Sequence, residues 1–285
     1  MSPPRIAVAP YALRPGPGLP DTLLDRLVFP LGDAPSGRLA DLGPEDHVIF
    51  YPKSGFYLPG AFRGIRAQPS LVIAEPRAVH GWHMRLLRLF HRRFTRILTR
   101  DPALLAALPN AVAHSHTFAS LTRAEQPVTE KTRAVSLIAS GKRDHPGHRL
   151  RHSLVERIRA EGLDVAVMGR GYAPFGNKEE GLLPFRFSVV IENCREPGYI
   201  SEKLLDACLC RTVPIYWGAP DVGDYVDPRG LVICEGEDAL MTAIREAAGG
   251  DAAGFAPYLE ENRQRALALA DADRRAALAL KAALG

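Results

Sequence analysis

From residue 134 onward, short runs of apolar residues alternate with stretches in which apolar positions recur every three or four residues. The short runs are Ala134 to Ala139, Leu163 to Met168, Phe187 to Ile191, Val213 to Trp217 and Leu231 to Cys234. They are too brief for helices, and their content of Val, Ile and Phe predicts buried strands. Between them, the three-to-four spacing predicts helices near Leu150 to Ala160, Ser201 to Leu209 and Asp238 to Ala248. Strand and helix taken in turn build successive βαβ units around a parallel sheet, so residues 134–257 predict a Rossmann-like domain.

The first half is broken more often by Pro and Gly, although Arg5 to Ala9, His47 to Tyr51 and Leu71 to Ala74 have the look of strands among turns. Residues 1–125 therefore predict a smaller α/β domain. The polar stretch Thr122 to Arg133, with Pro127 inside it, is the candidate linker. From Met84 to Arg100, Leu87, Phe90, Phe94 and Ile97 are interleaved with Arg85, Arg88, Arg92, Arg93 and Arg96, which predicts an amphipathic helix with one basic face. That face is either solvated or touches an anionic acceptor at a membrane surface. The last segment, 258–285, is free of Gly and Pro up to Leu284 and predicts a helical segment packing back across the first domain. There is no internal repeat.

At 285 residues the chain has room for two cores. With 46% hydrophobic and 24% charged residues, both can pack. The net charge of +4 is not gathered into a basic run of the kind that follows a nucleic-acid backbone, which points to small anionic partners and away from nucleic acid. Cys194, Cys208, Cys210 and Cys234 lack zinc-site spacing and read as reduced core residues. No apolar leader opens Met1-Ser-Pro-Pro-Arg-Ile and no run of about 18 apolar residues follows, so the expected location is the cytoplasm, with a peripheral position at the inner membrane if the basic helix binds there.

The chemistry concentrates between Phe185 and Pro220. A buried strand ends in Glu192 and Asn193, and a polar loop leads to a helix with Ser201 as its N-cap and Glu202 and Lys203 in its first turn. In open parallel sheets, ligands bind where strands end and helices begin. A lysine in a first helical turn opposes the positive end of the macrodipole, a conflict that an anion would relieve. A diphosphate there would meet Lys203, with Tyr199 donating a phenolic hydrogen bond and Glu202 accepting from ribose hydroxyls. The alternative is a lysine swung into solvent and a glutamate that favours the helix start.

Glu192-Asn193, Tyr199-Ile-Ser-Glu-Lys203 and Val213-Pro-Ile-Tyr-Trp-Gly218, in that order and spacing, resemble the donor-binding signature of the family 10 fucosyltransferases. The resemblance covers residues 140–228. It implies a GT-B architecture, two Rossmann-like domains facing a cleft, with inverting transfer of fucose from GDP-fucose to a hydroxyl of a glycan acceptor, of the bacterial surface polysaccharide or lipopolysaccharide type. It implies no obligatory metal, although a divalent cation can stimulate. Ser201 stands where the family has Thr, and Cys194 follows Glu-Asn. An Arg opening the helix after the first strand contacts the phosphates in the family. Arg151 matches it, with Arg149 and Lys142 as alternatives.

Inverting transfer needs a base, and the resemblance points to Glu75, at the carboxyl end of the run Leu71-Val-Ile-Ala. His80 and His83 are either acceptor contacts, the base itself or structural residues. Asp271-Ala-Asp273 lies inside the predicted C-terminal helix, where its side chains diverge, and so is not read as a metal site. Gly169-Arg-Gly171 does not extend to GxGxxG, which disfavours a dinucleotide oxidoreductase. Two other readings remain: the same fold with another nucleotide sugar, and a non-catalytic nucleotide- or carbohydrate-binding module.

Overall fold

The computed structural model describes residues 4–285. Met1, Ser2 and Pro3, which open the segment read above for a leader, lie outside the described residues. The chain divides into two compact units, Met1–His116 with Ala272–Gly285, and Thr117–Asp271.

The first unit is built on five parallel strands in sequential order, β1 (Ile6–Val8), β2 (His47–Phe50), β3 (Gln68–Val72), β4 (Ile97–Thr99) and β5 (Ala111–Ala113). Successive side chains point to opposite faces, so each strand feeds two cores. Ala7, Val48, Phe50, Leu71 and Ile97 pack with Met84 and Leu87 of α1 (Arg77–Phe90) and Leu104 of α2 (Pro102–Ala107). Ile6, Val8, Ile49, Val72 and Leu98 pack on the other face with Ala276, Ala277 and Leu280 of α7 (Ala272–Leu284). The C-terminal helix thus closes the second face of this sheet.

The second unit also has five parallel strands, β6 (Arg133–Ile138), β7 (Val165–Met168), β8 (Phe185–Ile191), β9 (Val213–Trp217) and β10 (Val232–Ile233), in the order β10-β9-β8-β6-β7. One face is covered by α3 (Pro146–Ala160) and α5 (Glu237–Gly249) through Leu154, Val155, Ile158, Leu240, Met241 and Ile244. The other is covered by α4 (Glu202–Leu209) with Ala266 of α6 (Ala256–Leu269). After β6 the chain adds β7 on one side and then returns to place β8 on the other. That reversal opens a crevice at the carboxyl ends of β6 and β8, and α3 and α4 both begin beside it. All four cysteines are free and buried in this unit.

Four expectations need correction. The unit boundary falls between His116 and Thr117, not in residues 122–133. That stretch is stitched to the second unit: the Thr122 N–H donates to Glu179 at 2.7 Å, and Lys131 Nζ donates to the Cys210 carbonyl at 2.7 Å and Thr212 Oγ1 at 2.9 Å. The helix expected over 84–100 runs instead from Arg77 to Phe90, with a 3-10 turn at 91–93 and a strand at 97–99. Asn110 ends it by donating to the carbonyls of His91 and Phe94, and β-branched Ile97 and Thr99 continue in the sheet. The basic face is correspondingly reduced, because Arg93 donates to the Leu58 carbonyl and Arg96 to the Ala283 carbonyl. The segment 258–285 is two helices: α6 belongs to the second unit, and α7 to the first. Asp271 sits in the break between them and Asp273 in the first turn of α7, so the pair is not inside a helix.

Candidate functional site

The switch-point crevice is shaped by an unusually close approach. Gly147, in the first turn of α3, lies so near the end of β8 that a Cβ there would fall 1.7 Å from the Glu192 carbonyl oxygen. Its N–H donates to the Asn193 carbonyl at 3.0 Å. This contact sets Arg151, one turn further along α3, against the strand end. Arg151 is buried, and its Nη2 donates to the Ile191 carbonyl at 2.9 Å and to Asn193 Oδ1 at 3.1 Å. Its Nε is buried without a hydrogen-bond partner. Burial pulls the guanidinium pKa down, and Glu192, Glu202 and Tyr199 pull against that. Asn193 Nδ2 in turn donates to the Tyr199 hydroxyl at 3.2 Å.

Around the start of α4, Glu192 is wholly buried and accepts from the Ser201 N–H at 2.8 Å and from Ser201 Oγ at 2.5 Å. Ser201 is the N-cap, its Oγ accepting from the Lys203 N–H. The Lys203 ammonium lies 3.2 Å from Glu202 Oε1, 3.1 Å from Ser201 Oγ and 3.8 Å from Glu192 Oε2. The charge conflict read from the sequence is therefore met by two carboxylates of the protein itself, and an external anion is not needed to relieve it. Burial pushes the Glu192 carboxyl up, against Lys203 and the Ser201 hydrogen bonds. Burial would raise Glu202 as well, but the ammonium groups of Lys203 and Lys178 outweigh it and hold that carboxyl at about 2.

Six of the predicted residues, Arg151, Glu192, Asn193, Tyr199, Glu202 and Lys203, thus form one connected cluster at the ends of β6 and β8. Arg149 does not join it: exposed, it donates to the Arg143 and Asp144 carbonyls of the loop before α3. Lys142 is also exposed, and its carbonyl is held by His152, which Tyr172 contacts from the other side.

Two residues of this site carry no sequence signal. Lys178, from the turn Lys178–Gly181, donates to Asp206 Oδ2 at 2.6 Å and lies 3.8 Å from Glu202, beside Ser120. Asp221 accepts the Gly198 N–H on both oxygens at 2.8 Å, and Gly198, with φ of +69°, makes the left-handed turn that delivers Tyr199. Both act across long sequence separations that no local spacing reveals.

In the first unit, Glu75 lies in the turn between β3 and α1. Its N–H donates to His80 Nδ1 at 3.4 Å, and Arg100 donates to the neighbouring Ala74 carbonyl at 2.8 Å. Burial, helped by His83, Arg100 and Lys53, lowers the buried His80 to about 4. The His83 ring stacks on Tyr57 at 5.8 Å and meets His80 edge-on at 5.6 Å. Past β5, His114 contacts His116, which contacts the Tyr51 hydroxyl at 2.8 Å. Burial lowers these histidines to about 3 and about 4, with Arg275 and Arg100 adding to the effect. Among the described residues, no group of three or more His, Cys, Asp or Glu side chains is placed to hold a metal ion.

Two parallel-sheet α/β units, the second with a polar cluster at its switch point, define the GT-B class of fold. In keeping with this, Staphylococcus aureus TarM, solved as a point mutant with fondaparinux, α-GlcNAc-glycerol and UDP, overlays 85% of this chain and 56% of its own with a TM-score of 0.60 and 11% identity. An α1,3-fucosyltransferase solved with GDP-fucose overlays 82% of this chain and 71% of its own, with a TM-score of 0.49 and 17% identity. No family model matches the chain. Over 56 residues the chain is 41% identical to the Helicobacter pylori α-(1,3)-fucosyltransferase FucT, a stretch that is 20% of this chain and 12% of that protein. That local similarity is to a fucosyltransferase, in line with the resemblance to the family 10 signature, and the chain matches only a small part of that relative's length.

Proposed function

We propose that the chain is an inverting glycosyltransferase that moves fucose from GDP-fucose to a hydroxyl of a glycan acceptor, of the bacterial surface polysaccharide or lipopolysaccharide type. The observation that carries this reading is the convergence of Arg151, from the second turn of α3, and Lys203, from the first turn of α4, on the end of β8. The 41% identity to a fucosyltransferase supports it.

In this reading Arg151 and Lys203 hold the diphosphate, Tyr199 donates to a phosphate oxygen, and Glu202, kept ionised, accepts from ribose hydroxyls. Asn193 orients Arg151 and Tyr199, and Glu192 orients Ser201 and Lys203. The acceptor hydroxyl gives its proton to the Glu75 carboxylate while its oxygen bonds to the anomeric carbon. The bond from that carbon to the phosphate oxygen breaks, and its electron pair leaves with the diphosphate. Attack opposite the leaving group inverts the centre. The two cations meet the charge of the departing diphosphate, so in this reading a divalent cation would add to their charge without being required.

Calorimetric titration with GDP, UDP and CMP, followed by product analysis with GDP-fucose and a glycan acceptor, tests the proposal. GDP should bind most tightly, and the product should carry a fucose of inverted anomeric configuration. Tighter binding of another nucleotide would reassign the donor. Saturable GDP binding without transfer or hydrolysis would leave a binding module only.

A further inference from the structure

Helix α1 presents three faces, and the core is built chiefly on one of them. His80, Met84 and Leu87 are buried against the sheet. Val79, Trp82 and Leu89 are exposed on a second face, with Leu86, partly buried against the core, between them at a spacing of three, four and three. On it Trp82 is 59% and Leu89 75% exposed. Phe90, at the end of the helix, is also exposed, and its ring lies 6.2 Å from that of Tyr57, the neighbour of exposed Leu58. Single exposed apolar residues are ordinary, but a contiguous line that includes a tryptophan marks an interaction surface. The third face carries Arg85 and Arg88, continued by Arg92 in the following turn. All three are exposed, and none forms an ion pair with a carboxylate among the described residues.

The partner must therefore be apolar at one depth and anionic at another, over the roughly 20 Å that fourteen helical residues span. We propose that this surface docks the chain on an anionic phospholipid bilayer. Trp82 and Leu89 enter the boundary between headgroups and acyl chains, and Arg85, Arg88 and Arg92 sit on lipid phosphates. The helix lies in the plane of the interface. No helix among the described residues is long and apolar enough to cross a membrane. This surface differs from the basic face expected over 84–100, because Arg93 and Arg96 serve backbone carbonyls and the apolar line begins at Val79, before that segment. The proposal does not depend on the donor-site reading.

Flotation of the full chain with phosphatidylcholine vesicles, with and without phosphatidylglycerol, tests it. The chain should float only with phosphatidylglycerol present, and less as salt is raised. Replacing Arg85, Arg88 and Arg92 together with Gln should weaken binding by about a hundredfold, at roughly fivefold per arginine. The Trp82→Ser, Leu89→Ser pair should weaken it by about tenfold or more. Both variants should keep the parent's thermal melting and its GDP titration, since the replaced side chains lie outside the core. The proposal is overturned if the parent ignores phosphatidylglycerol vesicles or if the arginine variant floats as the parent does. It also falls if sedimentation shows a dimer that Trp82→Ser dissociates, because the surface would then belong to a second copy of the chain.

Discussion

Replacing Lys203 by Met deletes one ammonium group and keeps most of the aliphatic stem, which makes it the cleanest probe of the cluster at the start of α4. The ammonium lies 3.2 Å from Glu202 and 3.8 Å from Glu192, contacts worth roughly 5 and 4 kcal/mol before desolvation at an effective dielectric of about 20. Repulsion from Arg151 and the cost of burial offset much of this, yet removing one partner of a buried pair still costs about 3 kcal/mol of stability. The loss should depend on pH. Glu192 has a raised pKa in the folded state, so the folded chain takes up its proton before the unfolded chain does, and stability falls as pH rises through that raised value. Without Lys203 the rise in Glu192 is larger, and the variant should regain stability relative to the parent as pH is lowered toward the ordinary carboxylate range. For a bound diphosphate the same ammonium should supply roughly 2 to 4 kcal/mol, or about 30- to 1000-fold in donor affinity and transfer rate. Melting curves against pH, GDP calorimetry and initial rates measure these three quantities separately. A folded Lys203→Met chain that binds GDP as tightly as the parent would refute the diphosphate assignment, whatever its melting temperature.

Gly147→Ala places a methyl group against the Glu192 carbonyl, so α3 must shift; we expect a stability loss of about 1 to 3 kcal/mol and weaker GDP binding as Arg151 moves with the helix, checked by melting and calorimetry. Asp221→Ala frees the Gly198 turn and should weaken donor binding through Tyr199 by about tenfold while leaving the melting temperature within a few degrees, because only the loop loses its anchor. The first unit should be sensitive to acid: His80, His114 and His116 stay neutral in the fold down to about 4, 3 and 4, whereas the unfolded chain binds those protons near 6.5. Stability is therefore lost as pH falls below about 6.5, by about 2 kcal/mol per histidine at pH 5, and equal melting temperatures at pH 7 and 5 would contradict the burial assigned to them.

What could be read from the sequence followed the physical range of each interaction. In the second unit, the five strands and their intervening helices announce themselves because burial on both faces demands continuous apolar runs, and the βαβ alternation repeats them. The six donor-side residues are legible for a related reason: five of them lie within twelve positions of one another, on a strand end and the helix that follows it. Arg151 comes from the other side of the same switch point and is found through the resemblance. Lys178 and Asp221 are not legible, because each acts across more than twenty residues on a group whose importance appears only after folding. In the first unit the errors share one cause. Leu87, Phe90, Phe94 and Ile97 keep a helical period through a change of structure, and only the distant Asn110, donating to the carbonyls of His91 and Phe94, shows where the helix must stop.

The C-terminal segment shows the same limit at the level of domains. Its composition predicts helix throughout, and helix propensity is indifferent to which sheet the helix will cover. The assignment is made by the face that remains open: Ile6, Val8, Ile49, Val72 and Leu98 form an apolar surface with no earlier helix on it, and the small residues Ala276 and Ala277 allow α7 to lie close against it while Leu280 fills the remaining space. A helix of larger side chains could not approach as closely. The alanine-rich composition that looks featureless along the chain is therefore what suits α7 to the first unit, and the break around Asp271 is what lets α6 remain with the second.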